Sequence, residues 1–156
     1  MAARPPDTRG VEAGSEGTRR VLAFTIDARE FGLPLDPIVE IIRYRSATPV
    51  PHPKPAIEGI LPFRGRMVTL IDLRQFLDRP ERILGSPAQV IVIETAGDLL
   101  GLVVDAVTRV VTTSAAAVPL EAAAGRDHPG SIEGFQRSGD GEVLLLDLEA
   151  ILGRLA

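Results

Sequence analysis

Three aspartates stand where chemistry would be easiest to build. Asp72, Asp105 and Asp147 each follow an apolar run, so a pair of them on one rim would supply general acid and base carboxylates. An Asp at the end of a strand more often accepts backbone N–H bonds of the next turn or helix, and capping is the reading favoured here. His52 lies between prolines and His128 precedes Pro129, neither within an HExxH-type spacing, so both read as solvated loop histidines. Ser114 and Ser131 lie in loop contexts without a GxSxG elbow, and no Walker or GxGxxG glycine loop occurs. The chain has no cysteine, which excludes disulfides, thiolate metal sites and a cysteine nucleophile. These residues point away from an enzyme, and no cofactor or metal is expected.

Recognition chemistry is better represented. In Ile57 to Leu73, IEGILPFRGRMVTLIDL, two apolar runs flank Arg64-Gly65-Arg66. Gly65 reaches positive φ cheaply, so the segment predicts a β-hairpin or bulged connection with its arginines on the rim. A guanidinium fork there suits a carboxylate. Glu40 interrupts the apolar run IVEII. Glu40 and Arg64 read either as solvent-facing members of their strands, pairing in a surface bridge worth ~0–1 kcal/mol, or as partner contacts at an exposed β surface. Residue chemistry alone leaves the two open.

Bulk composition sets the frame for these elements. A length of 156 residues suits one domain or two small lobes. Aromatics are 4%, so the core must be aliphatic, and a mean hydropathy of +0.17 supplies enough of it. A net charge of −4 argues against nucleic acid as a partner. No apolar run approaches the ~20 residues that span a bilayer, so direct membrane insertion is not expected. The N-terminus has no apolar signal core, and a reducing, cytoplasmic compartment is expected.

Residues 1–19, rich in Arg, Gly, Pro and Glu, are expected to form a disordered tail. Order is expected from Val21. VLAFTID and FGLPL read as paired strands, Asp36-Pro37 as the start of a helical turn, and IVEIIRY as that turn running into a strand. Four prolines between 49 and 55 predict an extended connection. LRQFLDRPERILGSP loses the strand pattern and reads as a crossing between lobes. QVIVIET, LLGLVVDAV and TRVVTT restore it, SAAAVPLEAAAGRDHPG reads mostly as loop, and SIEGFQR pairs with EVLLLDL across a Ser-Gly-Asp-Gly turn. Glu149 to Leu155 closes as a short helix. Many short strands without a βαβ unit predict an all-β fold of small barrels or a sandwich. ILPFRGRMVTLIDL and QVIVIETAGDLLGLVVDAV echo each other as strand–turn–strand units, suggesting two similar lobes.

Taken together, these segments resemble the CheW-like domain of bacterial chemosensory systems. The resemblance is carried by VLAFTIDAREFGLPLDPIVEIIRY, TPVPHPKPAIEGIL, FRGRMVTLIDLR, QVIVIETAGDLLGLVVDAVTRVV and GEVLLLDLEAIL, in that order. It implies an all-β fold of two packed five-stranded SH3-like β-barrel lobes with short helical segments, without a catalytic centre. The domain is expected over 20–156, with lobe 1 at about 20–84 plus 148–156 and lobe 2 at about 88–147. By resemblance the protein is a scaffold coupling chemoreceptors to a CheA-type histidine kinase, whose regulatory domain has the same fold, with receptor hairpin tips docking between the lobes. Arg64 occupies the arginine of the family's N-L-R-G motif and Glu40 the glutamate of its V-x-E-I segment. Gly59, Gly65, Gly101 and Asp105 match further family positions. Arg64, Glu40, Gly59, Gly65, Phe63, Val39 and Ile41 are thus the expected receptor- and kinase-contacting residues. The motif departs from the family's at Pro62 and Phe63, a proline that fits best on an edge strand or bulge. Alternatives are an adaptor of a divergent pathway, with gliding, pilus or second-messenger output, and a self-assembling structural protein.

Overall fold

Apolar residues alternating with a period of two make most of the described chain extended, and the structure, a computed structural model, resolves that pattern into strands. It describes residues 19–49, 51, 54–77, 79–83, 85–113, 118–119, 132–138 and 141–155. In chain order these form β1 (Arg19–Ile26), β2 (Arg29–Pro34), β3 (Ile38–Arg43), β4 (Ile57–Phe63) and β5 (Arg66–Asp72). A 3-10 turn at Leu73–Gln75 precedes β6 (Gln89–Thr95), β7 (Asp98–Val104) and β8 (Ala106–Thr113). The chain closes with β9 (Val118–Pro119), β10 (Ile132–Ser138), β11 (Gly141–Leu146) and helix α1 (Leu148–Gly153).

Two mixed sheets result, in the orders β8-β1-β2-β11-β10-β9 and β3-β6-β7-β5-β4. Each contains one parallel pair, β2 with β11 and β5 with β7, between antiparallel hairpins. Leaving aside the two-residue β9, the sheets have one topology. A single strand pairs with a hairpin (β8 with β1–β2, β3 with β6–β7), and that hairpin runs parallel to a second (β10–β11, β4–β5). In the first lobe the hairpin β1–β2 comes from the start of the chain, so its strands flank the second lobe in sequence.

This pairing corrects several expectations. The lobe boundary expected near residues 84–88 cuts through the second sheet, because β6 and β7 pair with β3 and β5. The two echoing segments are neighbours in one lobe; by topology the counterpart of β4–β5 is β10–β11. Strand β1 starts at Arg19, which pairs with Thr113, two residues before the expected Val21. The expected helical turn at Asp36-Pro37 is a β-turn, with the Ile38 N–H donating to the Leu35 carbonyl at 2.9 Å and β3 beginning at once. The expected tail through residue 18, both histidines, Ser114 and Ser131 lie outside the described residues.

Side-chain alternation sends each central strand into two cores. Val90 and Val92 on β6, Leu99 and Val103 on β7, and Val68 and Leu70 on β5 fill the second lobe. Val21, Ala23, Val143 and Leu145 fill the first. The opposite faces meet in a shared core between the lobes, with Phe24, Ile26, Phe31, Leu33 and Leu144 from one side and Ile71, Ile91, Ile93 and Leu102 from the other. Ile151 of α1 joins that core, so the C-terminal helix seals the joint. The aspartates at strand ends cap as expected: Asp72 accepts from the Arg74 N–H at 3.0 Å and Asp147 from the Ala150 N–H at 3.1 Å.

The second sheet closes on itself through the proline-rich connection. Thr48 and Ile60 exchange backbone bonds of 2.7 and 2.9 Å, drawing the chain beyond β3 against β4. Gly59 makes this approach possible, since a Cβ there would lie 2.3 Å from the Thr48 carbonyl oxygen. Gly101, inside the lobe, leaves room for Leu70 and Val90, whose methyls would lie 2.6 and 2.7 Å from an added Cβ.

Leu22→Ala, in the shared core, and Val92→Ala, in the second lobe, are each expected to cost about 1–4 kcal/mol in denaturant unfolding. Unchanged midpoints would contradict the assignment of faces. Gly59→Ala is expected to destabilise more than Gly65→Ala, because only the first meets backbone; equal unfolding midpoints would contradict the seam.

Candidate functional site: a charged clasp in an apolar rim

The β4–β5 turn is a two-residue connection with both central residues at positive φ, Arg64 at +53° and Gly65 at +77°. That is the type I′ geometry whose twist matches the flanking strands, and Phe63 pairs directly with Arg66 across it. Arg64 projects from the tip with its side chain 68% exposed and forms an ion pair with Glu40 of β3. The sheet's curvature brings these edge elements together, since β3 and β4 are its two edges. The Arg64 guanidinium also lies 5.1 Å from the centre of the Phe63 ring, which is buried in the second lobe and forms a floor beneath the charge. Pro62 lies on edge strand β4, as a residue without an N–H should, and its carbonyl accepts from Arg45 at 3.1 Å.

Glu40 is not the most exposed residue of its strand. A register shift between Ile38 and Glu40 leaves Val39 out of the ladder, and Val39, Ile41 and Arg43 are the exposed members, the two apolar ones at 45% and 36%. Met67, 53% exposed on β5, adds to the exposed apolar residues of this lobe. Arg66 is spent within the lobe, donating to Glu94 at 3.3 Å and to the Gly97 carbonyl at 2.8 Å. The structure therefore brings Arg64, Gly65, Phe63 and Glu40 together where the two edge strands of the second lobe meet, with Val39 and Ile41 the exposed neighbours of Glu40 on β3. Gly59 belongs to the closure seam instead. Met67 was not singled out from sequence, because its outward direction depends on the register that the Arg64-Gly65 turn sets.

Beside the clasp, a cleft of about 680 Å³ runs between β3 and β8, lined by Ile41, Tyr44, Ser86, Gln89, Asp105 and Ala106 among others. It spans both lobes. Its lining is not readable from sequence, since β3 and β8 are brought together only by the pairing of lobes. Asp105 accepts bonds from Arg74 and from the Asp27 N–H, so with Asp72 and Asp147 every aspartate that suggested acid–base chemistry is engaged in holding the fold. Among the described residues no three His, Cys, Asp or Glu side chains converge as metal ligands.

The principal electrostatic tension lies behind the cleft. Glu58 on β4 accepts a 3.0 Å bond from the Tyr44 hydroxyl, with Arg82 stacked 4.3 Å from the Tyr44 ring. Burial raises the Glu58 carboxyl above its ordinary 4.5, Asp72 pushes the same way, and the Tyr44 bond and Arg82 only partly oppose them. Burial and the same carboxylate also raise the Tyr44 hydroxyl. A raised carboxyl favours folding while protonated, so its contribution is full below about 4.5 and is lost as pH rises through the folded value. Glu58→Gln keeps the acceptor oxygen and removes the charge. It is expected to raise the melting temperature at pH 7, with the gain vanishing below pH 4.5; a gain independent of pH would contradict this.

Residues 20–156 match the family model described as the CheW-like domain. The chain is 25% identical over 137 residues to the chemotaxis protein CheW of Bacillus subtilis (strain 168), covering 86% of this chain and 87% of that protein. It is 26% identical over 151 residues to protein FrzA of Myxococcus xanthus, covering 94% and 92%. The fold superposes on the crystal structure of the scaffolding protein TtCheW from Thermoanaerobacter tengcongensis with a TM-score of 0.71, at 23% identity, covering 83% of this chain and 88% of that one. Matched by that family model over nearly its whole length, the chain belongs to the CheW-like domain family.

Proposed function

We propose that this protein is a non-catalytic adaptor that couples the cytoplasmic tip of a methyl-accepting chemoreceptor to a CheA-type histidine kinase, binding the kinase through its CheW-like regulatory domain. The observation that carries the reading is the Arg64–Glu40 pair set among exposed Val39 and Ile41 at the edge of a rigid lobe. Apolar side chains beside an arginine, over a buried aromatic floor, are the composition of a protein interface. Similarity to a chemotaxis protein CheW over 86% of the chain supports the same reading. The adaptor works in the cytoplasm, at the inner face of the membrane through the receptor array. Among the described residues no helix is long and apolar enough to cross a membrane. Similarity over 94% of the chain to FrzA, which is not named as a chemotaxis protein, supports a second reading within the same chemistry, an adaptor of a divergent pathway. Kinase activation in a mixture with CheA and receptor separates the two.

Arg64→Glu places two acidic groups against each other and removes the clasp without touching the core. It is expected to weaken binding to the kinase regulatory domain or the receptor tip by about tenfold or more, ~1.4 kcal/mol, in calorimetric titration. Ile41→Asp, beside it, is expected to act in the same direction. Wild-type affinity for both partners in folded variants would contradict the proposed face.

A further inference from the structure

A second group of charges lies away from the clasp, at the place where the chain crosses between lobes. Arg74 lies in the 3-10 turn that follows β5, and its side chain is only 11% exposed. It donates from Nη1 to the Pro80 carbonyl at 2.8 Å and from Nη2 to both Asp105 oxygens, at 2.8 and 3.0 Å. Asp105 occupies the bend between β7 of the second lobe and β8 of the first. One of its oxygens also accepts the Asp27 N–H of the β1–β2 turn, at 2.8 Å. The Asp27 carboxylate in turn accepts from Arg79, at 2.9 Å from Nη2 and 3.3 Å from Nε. The Arg79 N–H returns to the Arg74 carbonyl at 3.2 Å, which closes the ring. Two arginines and two aspartates thus tie the β1–β2 turn of one lobe to the β5–β6 connection of the other, with no net charge.

The shared apolar core holds the lobes together, but apolar burial is non-directional and tolerates small rotations of one face on another. Hydrogen-bonded ion pairs are directional, and a partly buried pair is best suited to fixing register. The ring includes Asp105, which also lines the cleft between β3 and β8. We infer that Arg74 and Asp105, supported by Asp27 and Arg79, are positioning residues that set the angle between the lobes and so the width of the cleft. This holds whichever partner occupies the cleft, and it gives Asp105 a task other than capping.

The chain has no cysteine, so one spin label can be placed on each lobe at Met67→Cys and Val110→Cys, both exposed. Distances between the labels are measured by electron–electron double resonance in the full chain, well below the melting temperature. Arg74→Gln and Asp105→Asn are expected to broaden and shift the distribution, with Arg74→Lys restoring it in part. A structural loss of stability alone would leave the distribution of the folded molecules unchanged. A folded Arg74→Gln protein with the wild-type distribution overturns the inference. If that variant does not fold, Arg79→Gln at the more exposed end of the ring decides: broadening supports the clamp, and an unchanged distribution overturns it.

Discussion

The structure depends on strands that are buried on both faces. On β6, Val90 and Val92 face the interior of the second lobe while Ile91 and Ile93 face the other lobe, and β1, β5, β7 and β11 divide their side chains in the same way. A small barrel of five strands has little interior of its own, and among the described residues the interior of the first lobe is lined by Val21, Ala23, Val111, Val143 and Leu145. Apolar burial large enough to hold such lobes is supplied at the joint, where Phe24 and Phe31 stack with ring centres 6.1 Å apart. Neither lobe is complete without the other.

That constraint explains how the site arises. With central strands consumed by two cores, only edges and turn tips remain for recognition. β3 and the β4–β5 turn are such places, and the positive φ of Arg64 and Gly65 places a guanidinium at the extreme of the lobe. The supporting groups are fixed from below by Phe63 and from the side by Arg66 and Arg45, which are bonded within the lobe. A rigid rim of this kind binds without the ordering cost of a flexible loop. Bridge and partner contact, which residue chemistry left open for Glu40 and Arg64, are not exclusive: the pair forms within the chain and stays exposed to a partner.

Strands, turns and caps were readable in the sequence because they are local. Alternation in QVIVIET and LLGLVV, the Arg64-Gly65 turn and the capping by Asp72 and Asp147 all follow from residues within a few positions of each other. Partner choice is not local. A period of two says that Leu144 and Val143 face opposite sides, but not that β11 lies parallel to β2, and so the lobe boundary was drawn in sequence order where the fold interleaves. Glu40 read as either solvent-facing or partner-facing, and along β3 it is Val39, Ile41 and Arg43 that are exposed while Glu40 is half-buried. Asp105 was read as a cap because nothing near it in sequence reveals that Arg74 and Asp27 converge on it.

The central claim is that two topologically similar lobes fold as one cooperative unit through their shared core. Differential scanning calorimetry of the full chain tests it most directly. A single transition whose calorimetric and van't Hoff enthalpies agree is the predicted result. Two resolved transitions, one for each lobe, would contradict it.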